Sequence, residues 1–164
     1  MRRLAAVLLV ATAGYLVLAT PVAAEPDVSL NREVSGPFSG STFVDFFTGG
    51  CSFIHQTLDG SYETQKRQSG SFHIDVCPTF SPGGSEAVGT FTLTTPHDGN
   101  LTGTVTGVYD IGAPPIVPFE FTLTAATGTK NLQHATGTIL MDGLWQFDAL
   151  TSPISGTLAG SLER

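Results

Sequence analysis

The sequence predicts an all-β domain of about eight strands, arranged as a sandwich or a closed barrel. Three observations carry that expectation. Past residue 24 no segment repeats its apolar residues at helical spacing. Short alternating segments recur instead between Gly, Pro, Asn and Asp punctuation. Several of the 19 glycines, among them Gly103, Gly107, Gly156 and Gly160, fall on strand faces. Glycine weakens a strand, so its repeated use marks bends or close packing, as at the corners of a small barrel.

The chain opens on Met1-Arg2-Arg3, a short positive segment, followed by a nearly unbroken apolar run from Leu4 to Leu18. Val22-Ala23-Ala24 then places small residues where a signal peptidase cuts. A membrane anchor is the competing reading, since Leu4 to Ala24 nearly spans a bilayer. Pro21, the small-residue ending and the acidic exit Glu25-Pro26-Asp27 favour a cleaved signal helix, residues 1–24, with the cut after Ala24. The residues after the paired arginines do not resemble a twin-arginine motif, so general secretion is expected. The remaining chain, 25–164, reads as a single domain with 25–35 as a loose N-terminal segment.

Phe38 to Phe47 and Cys51 to Leu58 supply the first strands, with faces that are hard to assign. Phe72, Ile74 and Val76 then alternate with Ser71, His73, Asp75 and Cys77. After the loop Ser81-Pro82-Gly83-Gly84-Ser85, the run Thr90 to Thr94 puts Phe91 and Leu93 on one face and threonines on the other. Pro96-His97-Asp98-Gly99-Asn100 is turn chemistry, and Leu101 to Tyr109 is the return strand of that hairpin. Beyond a Gly112-Ala113-Pro114-Pro115 loop, Val117, Phe119, Phe121 and Leu123 share a face. The last strand opposes Ile154, Gly156, Leu158, Gly160 and Leu162 to Ser155, Thr157, Ala159, Ser161 and Glu163.

Charge narrows the function classes. The net charge is −7, and loss of Arg2 and Arg3 with the leader takes it to −9. A generic nucleic-acid binder needs a basic face and is excluded. Only 13% of residues are charged while 41% are apolar, which opposes a disordered tail. An outer-membrane barrel would need a lipid-facing apolar band. The clearest strands here show Thr and Ser on one face, so no membrane span is expected after cleavage. Cys51 and Cys77 are the only cysteines, and an oxidising compartment favours a disulfide between them. Neither CxxC nor a companion CxH spacing is present to suggest a metal site.

One stretch goes beyond composition. Thr127-Gly128-Thr129-Lys130-Asn131-Leu132-Gln133-His134-Ala135-Thr136-Gly137 leads into Thr138-Ile139-Leu140-Met141. It resembles the strand, tight turn and strand of the allene oxide cyclase and dirigent barrel superfamily. Gly128, Thr129, Ala135, Thr136 and Gly137 match, and Leu132 stands where the family places a plugging Phe. Ala126, Lys130 and His134 depart from positions that often carry Gly. Gly89 to Thr95 followed by Asp98 to Thr104 is similar to a pattern in small exported bacterial proteins of unassigned function, which often carry two cysteines placed like Cys51 and Cys77. The resemblance implies a single antiparallel eight-stranded barrel with a central cavity. In plant relatives that cavity holds an unstable epoxide or orients phenoxy radicals.

Catalytic signatures are absent: there is no GxSxG, HExxH or GxxxxGK[ST]. His73, Asp75 and Cys77 form one row on a single strand face, and His55 shares a face with Phe53 and Cys51. The disulfide would let His55, His73 and Asp75 converge as an acid/base pair, although a solvated exterior is the plainer reading. No cofactor or metal is expected. Phe43, Phe46, Phe47, Phe119, Phe121, Trp145 and Phe147 read as barrel filling, with some free to line a cavity. Three functions survive: a non-catalytic module binding a small apolar ligand or serving extracellular interaction, a cavity-based cyclase or isomerase, and a secreted inhibitor or envelope structural protein.

Overall fold

The computed structural model describes residues 32–65, 69–81, 84–112 and 114–164. Eight strands make it up: β1 (Arg32–Phe46), β2 (Ile54–Glu63), β3 (Ser69–Ser81), β4 (Gly84–Thr95), β5 (Gly99–Tyr109), β6 (Ile116–Gly128), β7 (Thr136–Gln146) and β8 (Thr151–Glu163). Each pairs antiparallel with its sequence neighbour, and β8 returns to β1, closing the barrel. Closure removes every sheet edge that a foreign strand could extend. The expected leader, residues 1–24, lies outside the described residues.

Two boundaries differ from the sequence expectation. Residues 32–35 are strand rather than loose segment, because Arg32 to Ser35 pair in register with Leu162 to Ala159 of β8. Cys51 to Phe53 belong to a loop, and β2 starts only at Ile54. Phe47, Gly49 and Gly50 take left-handed backbone angles there, which turns the chain before it can re-enter the sheet.

Side chains alternate inward and outward along each strand, so the interior collects every second residue. The inward set includes Phe38, Leu58, Ile74, Phe121, Met141 and Leu158, all buried. Glycine takes many of the other inward positions, and aromatic rings lie on them. A Cβ at Gly156 would stand 2.0 Å from the Asp142 carbonyl oxygen and 2.7 Å from the Phe38 ring. At Gly60 it would meet the Phe72 ring at 2.5 Å. Gly40 faces Gly60 and Gly143 faces Gly156 across neighbouring strands. Large and small residues thus share a narrow interior that eight strands barely leave room to fill.

The outer wall accounts for many of the chain's 22 threonines. Thr92 faces Thr102, Thr104 faces both Thr90 and Thr124, and Thr124 faces Thr138 in successive registers. Cross-strand Thr pairs suit a solvated face and favour the extended backbone. One bulge interrupts the ladder, where the register shifts between Thr102 and Gly103 against β6.

Candidate functional site

The two ends of the barrel differ. At one end the β4–β5 turn, the single-turn helix Lys130–Leu132 and the start of β1 meet. Arg32 Nη2 reaches Asp98 Oδ2 at 2.6 Å, and Asn131 Nδ2 donates to Asp98 Oδ1 at 3.2 Å. These two hydrogen bonds, that from Arg32 foremost, hold the Asp98 carboxyl below its usual range. Leu132 is buried beneath this lid beside Val34, Tyr62, Leu93, Leu101 and Leu162, and the space left among them is about 20 Å³. That mouth is sealed.

The opposite end carries the β1–β2, β3–β4, β5–β6 and β7–β8 connections. Between them opens a cup of about 310 Å³ whose wall is almost wholly apolar, including Val44, Ile54, Phe80, Val117, Phe147 and Leu150. Backbone bonds fix its rim: Val44 N–H donates to Leu150 O at 2.9 Å and Phe47 N–H to Phe53 O at 2.8 Å. Phe46, which lines the cup, packs at its rim with Phe53, and Phe47, 73% exposed, stacks edge-on to Phe53 at 5.3 Å. Phe43 and Phe47 are exposed rather than barrel filling, whereas Phe46 and Phe147 line the cup, the other place the sequence allowed for these aromatics. Only Phe119 and Phe121 of that group lie in the barrel's solid centre, and Trp145 lies between centre and cup.

Polar groups lie at the floor. Gln56 is buried at an inward position, between Ile54 and Leu58 on the same face. Its Nε2 donates to Thr42 Oγ1 at 2.9 Å, and its Oε1 accepts from the Tyr109 hydroxyl. Burial pushes the Tyr109 phenol far above its usual range, so it stays a donor. Tyr109 packs edge-on against Phe121 at 5.4 Å and Trp145 at 6.0 Å. Trp145 lines the cup, and its Nε1–H is buried with no hydrogen-bond partner among the described residues.

The residues singled out from the sequence assemble elsewhere. His55 and His73 converge on Asp75, with His55 Nε2 at 3.0 Å from Oδ1 and His73 Nε2 at 2.9 Å from Oδ2. His73 Nδ1 also meets Asp59 Oδ1 at 2.7 Å, and Thr57 Oγ1 donates to Asp75 Oδ1 at 3.1 Å. The register explains the meeting, since Thr57 faces Asp75 and Asp59 faces His73. All project from the outer wall, and none lines the cup. The hydrogen bond to Asp59, before the influence of Asp75, raises the His73 pKa. His55 is roofed by Gly49, where a Cβ would collide with its ring at 2.6 Å. Among the described residues no group of three or more His, Cys, Asp or Glu side chains is placed to hold a metal ion.

Cys51 and Cys77 are joined by a disulfide, with Cα atoms 5.3 Å apart. It ties the β1–β2 loop, which carries Phe47 and Phe53, to the outer face of β3. Larger hollows lie on the exterior. One, of about 500 Å³, borders the disulfide, and one of about 480 Å³ spreads over β6, β7 and β8 beside Glu120 and Asp142. Both are depressions of the wall with no buried polar floor, whereas the cup enters the barrel itself.

The sequence pattern did not single out Gln56, Thr42 or Tyr109 as functional residues, whereas Trp145 was among the aromatics free to line a cavity. A signal existed for Gln56, which interrupts the inward apolar row Ile54, Leu58 at a spacing of two. No protein-family model, curated protein or solved structure matches the chain.

Proposed function

We propose that the protein is an exported, non-catalytic binding module that holds a small apolar molecule in the open end of an allene oxide cyclase and dirigent-like barrel. The cup carries this reading. Its volume falls in the range of small-molecule sites, its wall is apolar, and its few polar groups sit at the floor. The exposed aromatic rim gives an apolar ligand a route from water to the interior. The disulfide fits an oxidising compartment, and the cross-strand threonine pairs of the outer wall fit a solvated face.

Binding is favoured over cyclase or isomerase chemistry by the state of the floor. None of the residues lining the cup is Asp, Glu, His, Lys or Arg. Tyr109 beneath it keeps its proton and spends its hydroxyl on Gln56, so a general acid or base is lacking there. The His55, His73 and Asp75 group has no access to the cup.

Titration with the neutral fluorophore N-phenyl-1-naphthylamine tests the reading. The wild-type protein should bind it saturably at one site. Ile54→Phe fills the cup from a half-buried wall position and should weaken binding at least about tenfold, a loss of roughly 1.4 kcal/mol. Unchanged affinity in Ile54→Phe, or no binding by the wild type, would reject the cup as the site.

A further inference from the structure

We infer that the Cys51–Cys77 disulfide is a site of thiol exchange, and that opening it with a dithiol loosens the rim of the cup. The first half stands on the disulfide alone, and the second rests on the binding reading above. Cys77 alternates with the buried Val76 and Pro78 on β3, so its side chain belongs to the outer face. Both cysteines are half-buried and line the exterior hollow of about 500 Å³, beside the exposed side chains of Phe53, Phe80 and Val88. Neither belongs to the packed core. A reagent in the hollow meets the bond without entering the barrel.

The loop that the bond fastens gives it a consequence. Between Phe47 and Phe53 the backbone hydrogen bonds close on the loop itself, Phe47 N–H to Phe53 O at 2.8 Å and Cys51 N–H to Thr48 O at 3.0 Å. Phe47 holds a left-handed φ of 58°, a strained choice for a bulky residue. Its ring is exposed, so little burial offsets that strain. The disulfide ties this loop to β3, 26 positions away along the chain. The loop joins Phe46 to Ile54, which both line the cup, and Phe53 packs on Phe46 at 5.7 Å. Released from β3, the loop lets Phe47 relax, and Phe53 and Phe46 lose their fixed positions at the rim.

The exchange runs in two steps. One thiolate of the dithiol attacks a cysteine sulfur and forms a mixed disulfide. The Cys51–Cys77 bond breaks, and its electron pair leaves on the other sulfur, which takes a proton from water. The second thiol of the reagent then displaces the remaining cysteine and closes the reagent's own disulfide. Two electrons and two protons pass from the dithiol to the protein, which is left with two thiols.

Dithiothreitol under native conditions tests both halves. Alkylation and mass spectrometry count the thiols, emission of Trp145, the only tryptophan, reports the fold, and N-phenyl-1-naphthylamine reports the cup. Reduction should be proportional to dithiothreitol concentration and indifferent to urea below the unfolding transition, with Trp145 emission still that of the folded protein. The reduced protein should bind the fluorophore roughly three- to tenfold more weakly, the cost of ordering rim side chains anew on binding. Cys51→Ser with Cys77→Ser should show the same weakened affinity and no response to dithiothreitol. A rate that climbs with urea, or levels off at the rate of global unfolding, would overturn the exchange site. Rapid reduction with unchanged affinity would overturn the latch, as would reduction that unfolds the whole barrel. Absence of fluorophore binding by the oxidised protein would remove cup and latch together, and the reduction rate would then decide the exchange site by itself. Rate and affinity are both read on the wild-type chain, so the result stands even where the double variant fails to fold.

Discussion

His73 lies between two carboxylates, Asp59 on one ring nitrogen and Asp75 on the other. Both contacts favour the imidazolium, and the folded-state pKa is raised. The unfolded chain titrates near 6.5, so the stabilisation is complete below that pH and is lost as pH rises through the higher folded value. His73 is half exposed, and solvent screening keeps the effect under about 1 kcal/mol. Urea midpoints should therefore fall as pH rises past about 6.5, and His73→Gln should flatten much of that fall. An unchanged slope in the variant would assign the pH dependence to other groups. Beneath the cup, Tyr109→Phe keeps the ring but strands the Gln56 carbonyl oxygen. That should cost about 1–3 kcal/mol by denaturant unfolding, the penalty of a buried acceptor left unmade. Neither residue's surroundings can be read from its neighbours in sequence. The sequence set His73 in a row with Asp75 but gave Asp59 no strand or face, and only the β2–β3 register makes His73 and Asp59 partners.

Among the strands, legibility depended on the residues that fill the inward positions. In β4 and β6 these are Phe91 and Leu93, or Val117 to Leu123, and the alternation was readable at once. In β1 the inward row runs Val34, Gly36, Phe38, Gly40, Thr42 and Val44, and two glycines and a threonine blur it. Those glycines exist because of neighbouring strands. Gly156→Ala would force a Cβ against backbone at 2.0 Å and the Phe38 ring at 2.7 Å. Overpacking of this kind should lower stability by roughly 1–3 kcal/mol, or more where the backbone cannot yield, which thermal unfolding would show. Substituting solvent-facing Ser155 by Ala provides the comparison and should change little. The loop from Phe47 to Phe53 depends on a different constraint. Its disulfide closes a separation of 26 residues, so replacing Cys51 and Cys77 together by serine should cost roughly 3–4 kcal/mol on the chain-entropy account. Equal stability of oxidised and reduced protein would refute that estimate.

As a whole the molecule is a barrel with a solid centre and two unlike ends. Leu132 and the Arg32–Asp98 pair close one mouth, and an aromatic rim opens the other. Leu132→Ala should destabilise by about 2–4 kcal/mol as a core truncation. It should leave N-phenyl-1-naphthylamine affinity at the cup unchanged, because the packed centre separates the two ends. Loss of probe binding in a still-folded Leu132→Ala protein would mean that the ends communicate. The sequence by itself determined the all-β class, the strand count and the outward placement of His73, Asp75 and Cys77. These depend on the period of two along a strand, which neighbouring residues express. Tertiary structure alone decided that the barrel closes between β1 and β8, and that its glycines answer aromatic rings on adjacent strands. It also decided that Phe46 and Phe147 edge a cup while Phe119 and Phe121 fill the core. Register and closure bring together residues 14 to 53 positions apart, as in Thr42–Gln56 and Gln56–Tyr109. Burial of a side chain is set by where its strand ends within the barrel, a property that no local pattern carries.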